Sequence, residues 1–587
     1  MAYDKQKSET YELLGGRNSK ASPYATGPSE FRELVNLNFT VPGALTQRPG
    51  TADYAGATVS GKITGGVEFE RLSGASYIVA TANTNAYTVT QGAFTTFKSG
   101  LLNNAIFDFV TLVDRLFACN GQDFFKFDGQ NTSAFSLPSG FSALEMAAAA
   151  GGSLTAGVTG TFIAAYAYIN DRGYVGPVSR GFTITVNGVT TNSIDYYGLT
   201  IPSGFGISGI MLFRSSAGGV DLFGTTIIPG ISVSSGAARF NDPGWPLTTR
   251  AEPDSIYFTL IPKYMEIYNN QLFLAGFSSQ LSTVWWSQIG EPEGIEPTFH
   301  AEFRTNDGDR ITGMKAYSGS LVVAKERSFH RVTGNDPEDF LFREVTDQYG
   351  CVSNRAMIVW EDKLWFLDTK GIVEYDGATP RVVSTKVEDI FSRMNLYAAR
   401  DQATAIHDRQ RNELWFAIPI DGSTENNAIV VYDYVAQAWT VYEGIKPSVL
   451  FMAKGALGQR LPFYGGYTGT LGYASATLPN DLGRAITCML TPSFEHPRGQ
   501  TTENMYRRFY LNTNPILGIT LPISVHLRTN YGTTIQATRT MYRNPFQGRI
   551  DFGLSAKSIQ AQVIHSSASF PITVYGYAFE SRFQRAT

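Results

Sequence analysis

The chain has very little cysteine, little charge and no long apolar run. Three thiols in 587 residues, Cys119, Cys351 and Cys488, lie more than 130 positions apart, which excludes a disulfide framework and a clustered zinc site and leaves three small buried hydrophobes. Charged residues make up 17% of the chain, against about 25% in ordinary globular proteins. The net charge of −4 excludes a wholly basic nucleic-acid coat. The opening MAYDKQKSETYELL offers no apolar signal segment, and the least polar stretch, 146–152, is too short to span a bilayer, so neither a membrane anchor nor a secretion signal is expected. Helix signals are scarce as well. One is 386–395, where Val387, Ile390, Phe391 and Met394 share a helical face. A weaker one is 29–37, opened by Pro28 and Ser29 as capping residues.

Glycine and aromatic residues are plentiful instead, with 58 Gly and 13% aromatics. Short apolar segments recur between DG, GG, NG and PG dipeptides, the pattern of an all-β protein rich in turns. Within it one unit repeats: an apolar strand, a turn, and a second strand often ending in aromatic-Asp-Gly. Copies stand at 114–129 (DRLFACNGQDFFKFDG), 270–277, 319–334, 362–377 (DKLWFLDTKGIVEYDG) and 412–434, with fainter ones at 76–89 and 459–474. With Tyr77, Leu116, Leu272, Leu321, Leu364, Leu414 and Leu461 as equivalent points, the steps are 39, 156, 49, 43, 50 and 47 residues. Periods of about 40–50 residues are those of propeller repeats, and six or seven blades are predicted. A lone blade leaves both faces apolar, whereas radial stacking buries them against neighbours. The triplets Leu364-Trp365-Phe366 and Leu414-Trp415-Phe416 suit strands covered on both sides.

The step of 156 exceeds a blade by about 110 residues. The excess, 139–252, has few charges, alternates aromatic with small residues and holds about seven short strands, which reads as a β-sandwich inserted into the propeller; its weak charge favours packing against another protein surface. Beyond 484 the charge changes sign. Residues 484–587 carry eleven Lys and Arg against four Asp and Glu, a net of +7, so the first 483 carry −11. The runs ISVHLRTN, IQAQVIH and PITVYGYAF predict a second, C-terminal β-sandwich with Arg on its outer positions. The chain therefore divides into an N-terminal arm (1–50), a first propeller part (51–138), the inserted sandwich (139–252), a second propeller part (253–483) and the C-terminal sandwich (484–587).

Signatures of bond chemistry are missing. His300, His330, His407, His496, His526 and His565 show no HxxxH or HExxH spacing, and there is no P-loop and no GxSxG. No catalytic residue, metal ligand or cofactor is assigned. Asn306-Asp307-Gly308-Asp309 lacks the rest of a calcium loop and reads as a polar turn. His407-Asp408 reads as part of a strand-to-strand turn, as do Asp362, Asp368, Glu374 and Asp376 at the blade ends. Trp285 and Trp286, adjacent on a strand, point to opposite faces, so at most one is expected in the propeller core and the other at an interface. The basic set Arg498, Arg507, Arg508, Arg528, Arg539, Arg543 and Arg549 supplies the candidate DNA-facing or subunit-interface residues.

The segments ITGMKAYSGSLVVAKERSFHRVTG and QYGCVSNRAMIVWEDKLWFLDTKGIVEYDGATPRVVSTKVEDIF, within 311–391, resemble the propeller core of tail hub, nozzle or packaged-DNA stabilisation proteins of short-tailed bacteriophages. In that family a strand ending in DG is followed by a Ser and a short amphipathic helix, an order matched by Asp376, Gly377, Ser384, Val387, Glu388 and Ile390. VWWSQIGEPE (284–293) is similar to the family's aromatic-Ser turn. The opening, with Gly15-Gly16, Asn36 and Gly43-x-Leu45-x-x-Arg48-Pro49-Gly50, is similar to the family's start. The resemblance implies a propeller interrupted by an immunoglobulin-like or fibronectin-like module and followed by a sandwich. It further implies a virion protein made in the host cytoplasm, a ring of usually six identical subunits below the portal and its adaptor, in contact with other tail proteins and with genomic DNA passing through the channel, helping to retain and deliver the genome. The rival reading is a carbohydrate-binding or carbohydrate-cleaving propeller used in host recognition. A peptide-binding scaffold propeller is disfavoured because WD and kelch signatures are missing.

Overall fold

The computed structural model describes residues 7–8, 13–23, 26–27, 29–140, 145–154, 159–230, 240–248, 255–304, 307–475, 477–514, 521–542 and 548–583. Tyr77, Leu116, Leu272, Leu321, Leu364, Leu414 and Leu461 all fall on the second strand of an antiparallel four-stranded unit. Among the described residues seven such units, one at each of these markers, form the blades. Blades I to VI span 63–98, 108–134, 264–302, 311–346, 357–382 and 404–442. Blade VII takes three strands from 447–474 and its fourth, Thr51–Thr58, from the beginning of the chain, with Tyr473 opposite Ala52. The ring thus closes by pairing strands about 400 residues apart, and the expected six or seven blades resolve to seven.

The first strands pack neighbour against neighbour around the axis, from Ile63–Glu70 of blade I to Pro447–Lys454 of blade VII and back. An apolar cluster fills every blade interface. Phe117, Leu272 and Trp285 join blades II and III; Phe273, Trp286 and Met314 join III and IV. Leu364 and Phe366 face blade IV while Trp365 faces blade VI. Leu414 and Phe416 face blade V while Trp415 faces blade VII. Trp285 and Trp286 are therefore both core, 8% and 4% exposed, contrary to the expectation that one would lie outside. Opposite faces of a blade strand are equally buried, because each packs on a neighbouring blade.

The aromatic-Asp-Gly signature has a local cause. Asp128 Oδ1 accepts from the N–H groups of Gln130 and Asn131 at 2.8 and 2.6 Å, and Asp376 Oδ1 from Ala378 and Thr379 at 3.0 and 3.3 Å. The carboxylate nucleates the turn into the outer strand while the following glycine takes a positive φ, +95° at both Gly129 and Gly377. The predicted helix at 386–395 forms as a 3₁₀ turn, Thr385–Val387, running into Glu388–Ser392, with Val387, Ile390 and Phe391 buried at the blade V–VI interface.

The inserted module is a sandwich of a three-stranded and a four-stranded sheet, with Tyr166, Tyr168 and Tyr196 buried between them. It rests on blades II and III. Lys126 of blade II and Glu293 of blade III form a buried ion pair at 2.7 Å, and Asn170 of the insert donates to the same carboxylate at 3.2 Å. Arg172 pairs with Glu291 at 2.9 Å, and Arg115 pairs with Asp171.

The C-terminal sandwich is built partly from the chain start. Phe31–Val35, where a helix was expected, is a strand: Leu34 pairs antiparallel with Leu490, and Val35 pairs parallel with Val441 of blade VI. Leu37–Asn38 and Leu45–Gln47 join the opposite sheet, with Leu45 opposite Val574. Segment 31–47 is thus built into the sandwich rather than standing apart as an arm. At the seam the Arg48 guanidinium, 2% exposed, binds Asp481 at 2.9 and 2.5 Å, Asn36 Oδ1 at 2.8 Å and the Glu443 carbonyl at 2.8 Å. Gly50 admits no side chain, because a Cβ there would lie 2.0 Å from the Asn480 carbonyl oxygen.

Candidate functional site

The seven first strands do not meet at the axis. They leave a cavity of about 380 Å³ to which every blade contributes. Val67, Phe109, Ile267, Met357 and Phe451 supply apolar parts of its wall. Into it come Asp108 from blade II, Glu266 from blade III, Lys315 from blade IV, and Asn354 and Arg355 from the turn that opens blade V. Asp108 Oδ2 accepts from the Met265 N–H at 2.8 Å and from Asn354 Nδ2 at 2.9 Å, so it clips blade II to blades III and V. Lys315 Nζ donates to Glu266 Oε2 at 2.9 Å. Arg355 donates to the Asp401 carbonyl at 2.6 Å. Burial pushes the Asp108 carboxyl up to about 6, reinforced by the nearby Glu266 charge and opposed by its backbone hydrogen bonds and by Lys315. The Glu266 charge, aided by Asp108, raises the Lys315 ammonium against the opposing effect of burial. Convergent polar groups with a shifted carboxyl inside a cavity are the usual marks of a ligand site.

Sequence reasoning missed this cluster. A faint signal existed: Glu266 and Lys315 each stand six residues before the repeat markers Leu272 and Leu321, and Asp108 eight before Leu116. A charge at that offset sits on the strand nearest the axis.

The arginines singled out in the C-terminal region do not form one patch. Arg507 is exposed on Asn504–Thr513, and Arg508 beside it is bound by Asp551 at 2.9 Å and Glu580 at 3.0 Å. Arg549 also pairs with Asp551, at 3.2 Å. Arg498 donates to Asn504 Oδ1 at 2.8 Å. Arg528 lies on the other sheet and donates to Gln560 and Gln562, and Arg539 is exposed on the strand beside it. Arg543 lies outside the described residues.

The remaining candidates are structural. The Lys325 ammonium occupies the cation position of the 306–309 turn, with Asp307 Oδ1 and Oδ2 both at 2.8 Å, while Asn306 is outside the described residues. Asp408 holds Arg411 at 2.6 Å and two turn N–H groups, and His407 faces Tyr434. Asp368 accepts from Gly350 and Lys370 N–H groups. Glu374 lies within the strand Gly371–Tyr375, not at its end, and is neutralised by Lys363 and Arg381. Among the described residues no three His, Cys, Asp or Glu side chains are grouped to hold a metal ion, and no helix is long and apolar enough to cross a membrane.

No family model and no curated protein matches the chain. Among solved structures it is similar to BBS1N in complex with ARL6DN, at 9% identity and a TM-score of 0.28 over 74% of this chain and 98% of that one. It is similar also to the Neurospora crassa Pan2 WD40 domain, at 7% identity and a TM-score of 0.26 over 74% and 96%. A third likeness is to an exo-β-1,3-galactanase from Phanerochaete chrysosporium, at 9% identity and a TM-score of 0.18 over 72% and 100%. At these values they carry no argument about activity or partners; the chain is a seven-bladed propeller protein on the pairing of its own strands.

Proposed function

We propose that the chain is a structural tail subunit of a short-tailed bacteriophage, a hub or nozzle protein that assembles into a ring below the portal and adaptor, lines the DNA exit channel and helps retain and deliver the genome. One observation supports this above others: two of the stretches through which the sequence resembles that family, the opening and the blade V stretch, meet in space and lock the lobes of the chain together. In the opening stretch, Arg48 and Gly50 form the seam between blade VI, blade VII and the C-terminal sandwich. In the blade V stretch, Ser384 Oγ accepts from the Ile372 N–H at 2.9 Å, and the helix that follows receives the chain start through Arg17–Asp389 at 2.6 Å and the Ser19 N–H to the Lys386 carbonyl at 2.8 Å.

The axial cavity has the size of a small-ligand pocket, so duplex DNA does not thread the propeller. The conduit is the space enclosed by a ring of whole subunits, closed by repeated head-to-tail contacts. The opposed charges of the two parts of the chain, +7 and −11, favour such contacts. The mechanism is association and geometry, with no bond made or broken. Native mass measurement and electron microscopy of the purified full chain, under the ionic conditions of the virion, are expected to show a closed ring with an opening wide enough for a duplex. A strictly monomeric particle refutes the proposal.

A further inference from the structure

We propose that the axial cavity of the propeller binds a small, neutral, polyhydroxylated ligand, a monosaccharide or comparable polyol. The volume of about 380 Å³ lies within the range of small-molecule sites. The charges on its wall cancel, Asp108 and Glu266 against Lys315 and Arg355, so neither an anion nor a cation is selected. Each charge is already held by the wall: Asp108 by Met265 and Asn354, Glu266 by Lys315, and Arg355 by backbone carbonyls.

Donors and acceptors nevertheless remain. Among the described residues, Glu266 Oε1 has no hydrogen-bond partner, and Lys315 spends one of its three N–H groups on Glu266. A hydroxyl both donates and accepts, so a polyol can bridge such adjacent groups without leaving a charge unpaired. A carboxylate or phosphate would meet Asp108 and Glu266, and an ammonium would meet Lys315 and Arg355. Phe109 and Phe451 on the wall offer apolar surface to the C–H face of a sugar ring. Stability alone does not call for this arrangement, since a buried ion pair is often matched or bettered by packed apolar side chains, and the same strands already carry Val67, Ile267 and Met314 beside these charges. The inference is independent of the tail reading.

Saturation-transfer NMR on the full chain tests it, with glucose, galactose, mannose and N-acetylglucosamine as probes and glutamate and inorganic phosphate as charged controls. Transfer to at least one sugar and to neither control is expected. The double variant Glu266→Gln, Lys315→Gln, first checked for a wild-type melting curve, is expected to weaken it roughly tenfold or more, the scale of a lost hydrogen bond to a charged group. Should that variant fail to fold, wild-type crystals soaked in the responding sugar decide, with density between Phe109 and Lys315 expected. Silence from all four sugars overturns the inference. So do a control that binds in the cavity, sugar transfer unchanged in a folded double variant, and sugar density found elsewhere.

Discussion

The inserted sandwich is held to blades II and III mainly by side chains, whereas the C-terminal sandwich is held to blades VI and VII by backbone. At the first junction Asn170 of the insert donates to Glu293, which Lys126 of blade II holds, and the ion pairs Arg172–Glu291 and Arg115–Asp171 cross between insert and blades. At the second, Phe31–Val35 continues the sheet of blade VI into the sandwich, and the chain then leaves the sandwich to become the closing strand Thr51–Thr58 of blade VII. The difference is one of cooperativity. A side-chain junction can be weakened while both partners stay folded. A shared sheet cannot, because the ladder that orders the sandwich also closes the ring.

The severest way to break that comparison is Arg48→Ala. It leaves the Asp481 carboxylate and the Glu443 carbonyl without the buried guanidinium, while Asn36 Oδ1 keeps the Glu443 N–H, and a loss of about 5 kcal/mol is expected. Hydrogen exchange should accelerate in Thr51–Thr58, blade VII and the C-terminal sandwich together, with Gly160–Asn170 of the insert unchanged. If blade VII keeps its protection while the sandwich loses its own, the shared ladder is not what couples them. Trp415→Ala, which empties the blade VI–VII interface where the indole is 3% exposed, should cost about 3–5 kcal/mol and spread in the same way. A thermal scan showing no loss contradicts the blade assignment.

At the other junction Lys126→Met strands the Glu293 carboxylate, and about 3–5 kcal/mol is expected, seen as faster exchange confined to the insert and the loops of blades II and III. The double variant Lys126→Met, Glu293→Gln keeps an acceptor for Asn170 and removes the unpaired charge, so most of the loss should return in denaturant titrations. A double variant as unstable as the single one would show that the junction depends on the ion pair itself.

The parts legible in the sequence are those fixed by local pattern. The second strands of the blades are apolar on both sides, and the Asp of aromatic-Asp-Gly acts within three residues, so both repeat visibly. The closing strand Thr51–Thr58 was not legible as such, because TADYAGAT has little apolar content and its partner lies about 400 residues away. Phe31, Leu34 and Val35 have helical spacing, yet pairing with Arg484–Pro492 and with blade VI overrides it. The basic count of the last hundred residues was visible, but Asp551 and Glu580, which occupy Arg508, come from other strands. Single charges on the innermost strands look like noise until seven strands bring them to one axis.

Acidity separates the two junctions more gently. Glu413, fully buried in blade VI, accepts from Tyr442 Oη at 2.8 Å and Trp415 Nε1 at 2.7 Å. Burial pushes its carboxyl up to about 7, against the opposing effects of Tyr442, Trp415 and Arg411 and with a small push from Asp408. The folded chain therefore favours the protonated form. Its contribution is complete below the ordinary value of 4.5 and is lost as pH rises through about 7, a change on the order of 3 kcal/mol. Asp108, raised to about 6, acts with the same sign in a lower window, so the comparison that isolates Glu413 is wild type against Glu413→Gln. The glutamine can accept from Trp415 and donate to Tyr442 without titrating. Denaturant titrations from pH 4 to 8 should show wild type losing stability relative to the variant, with hydrogen exchange rising in blades VI and VII and the insert indifferent. Parallel pH profiles would mean that the carboxyl is not buried as a neutral acid in that interface, and pH would no longer distinguish the backbone-fastened side of the molecule from the side fastened by side chains.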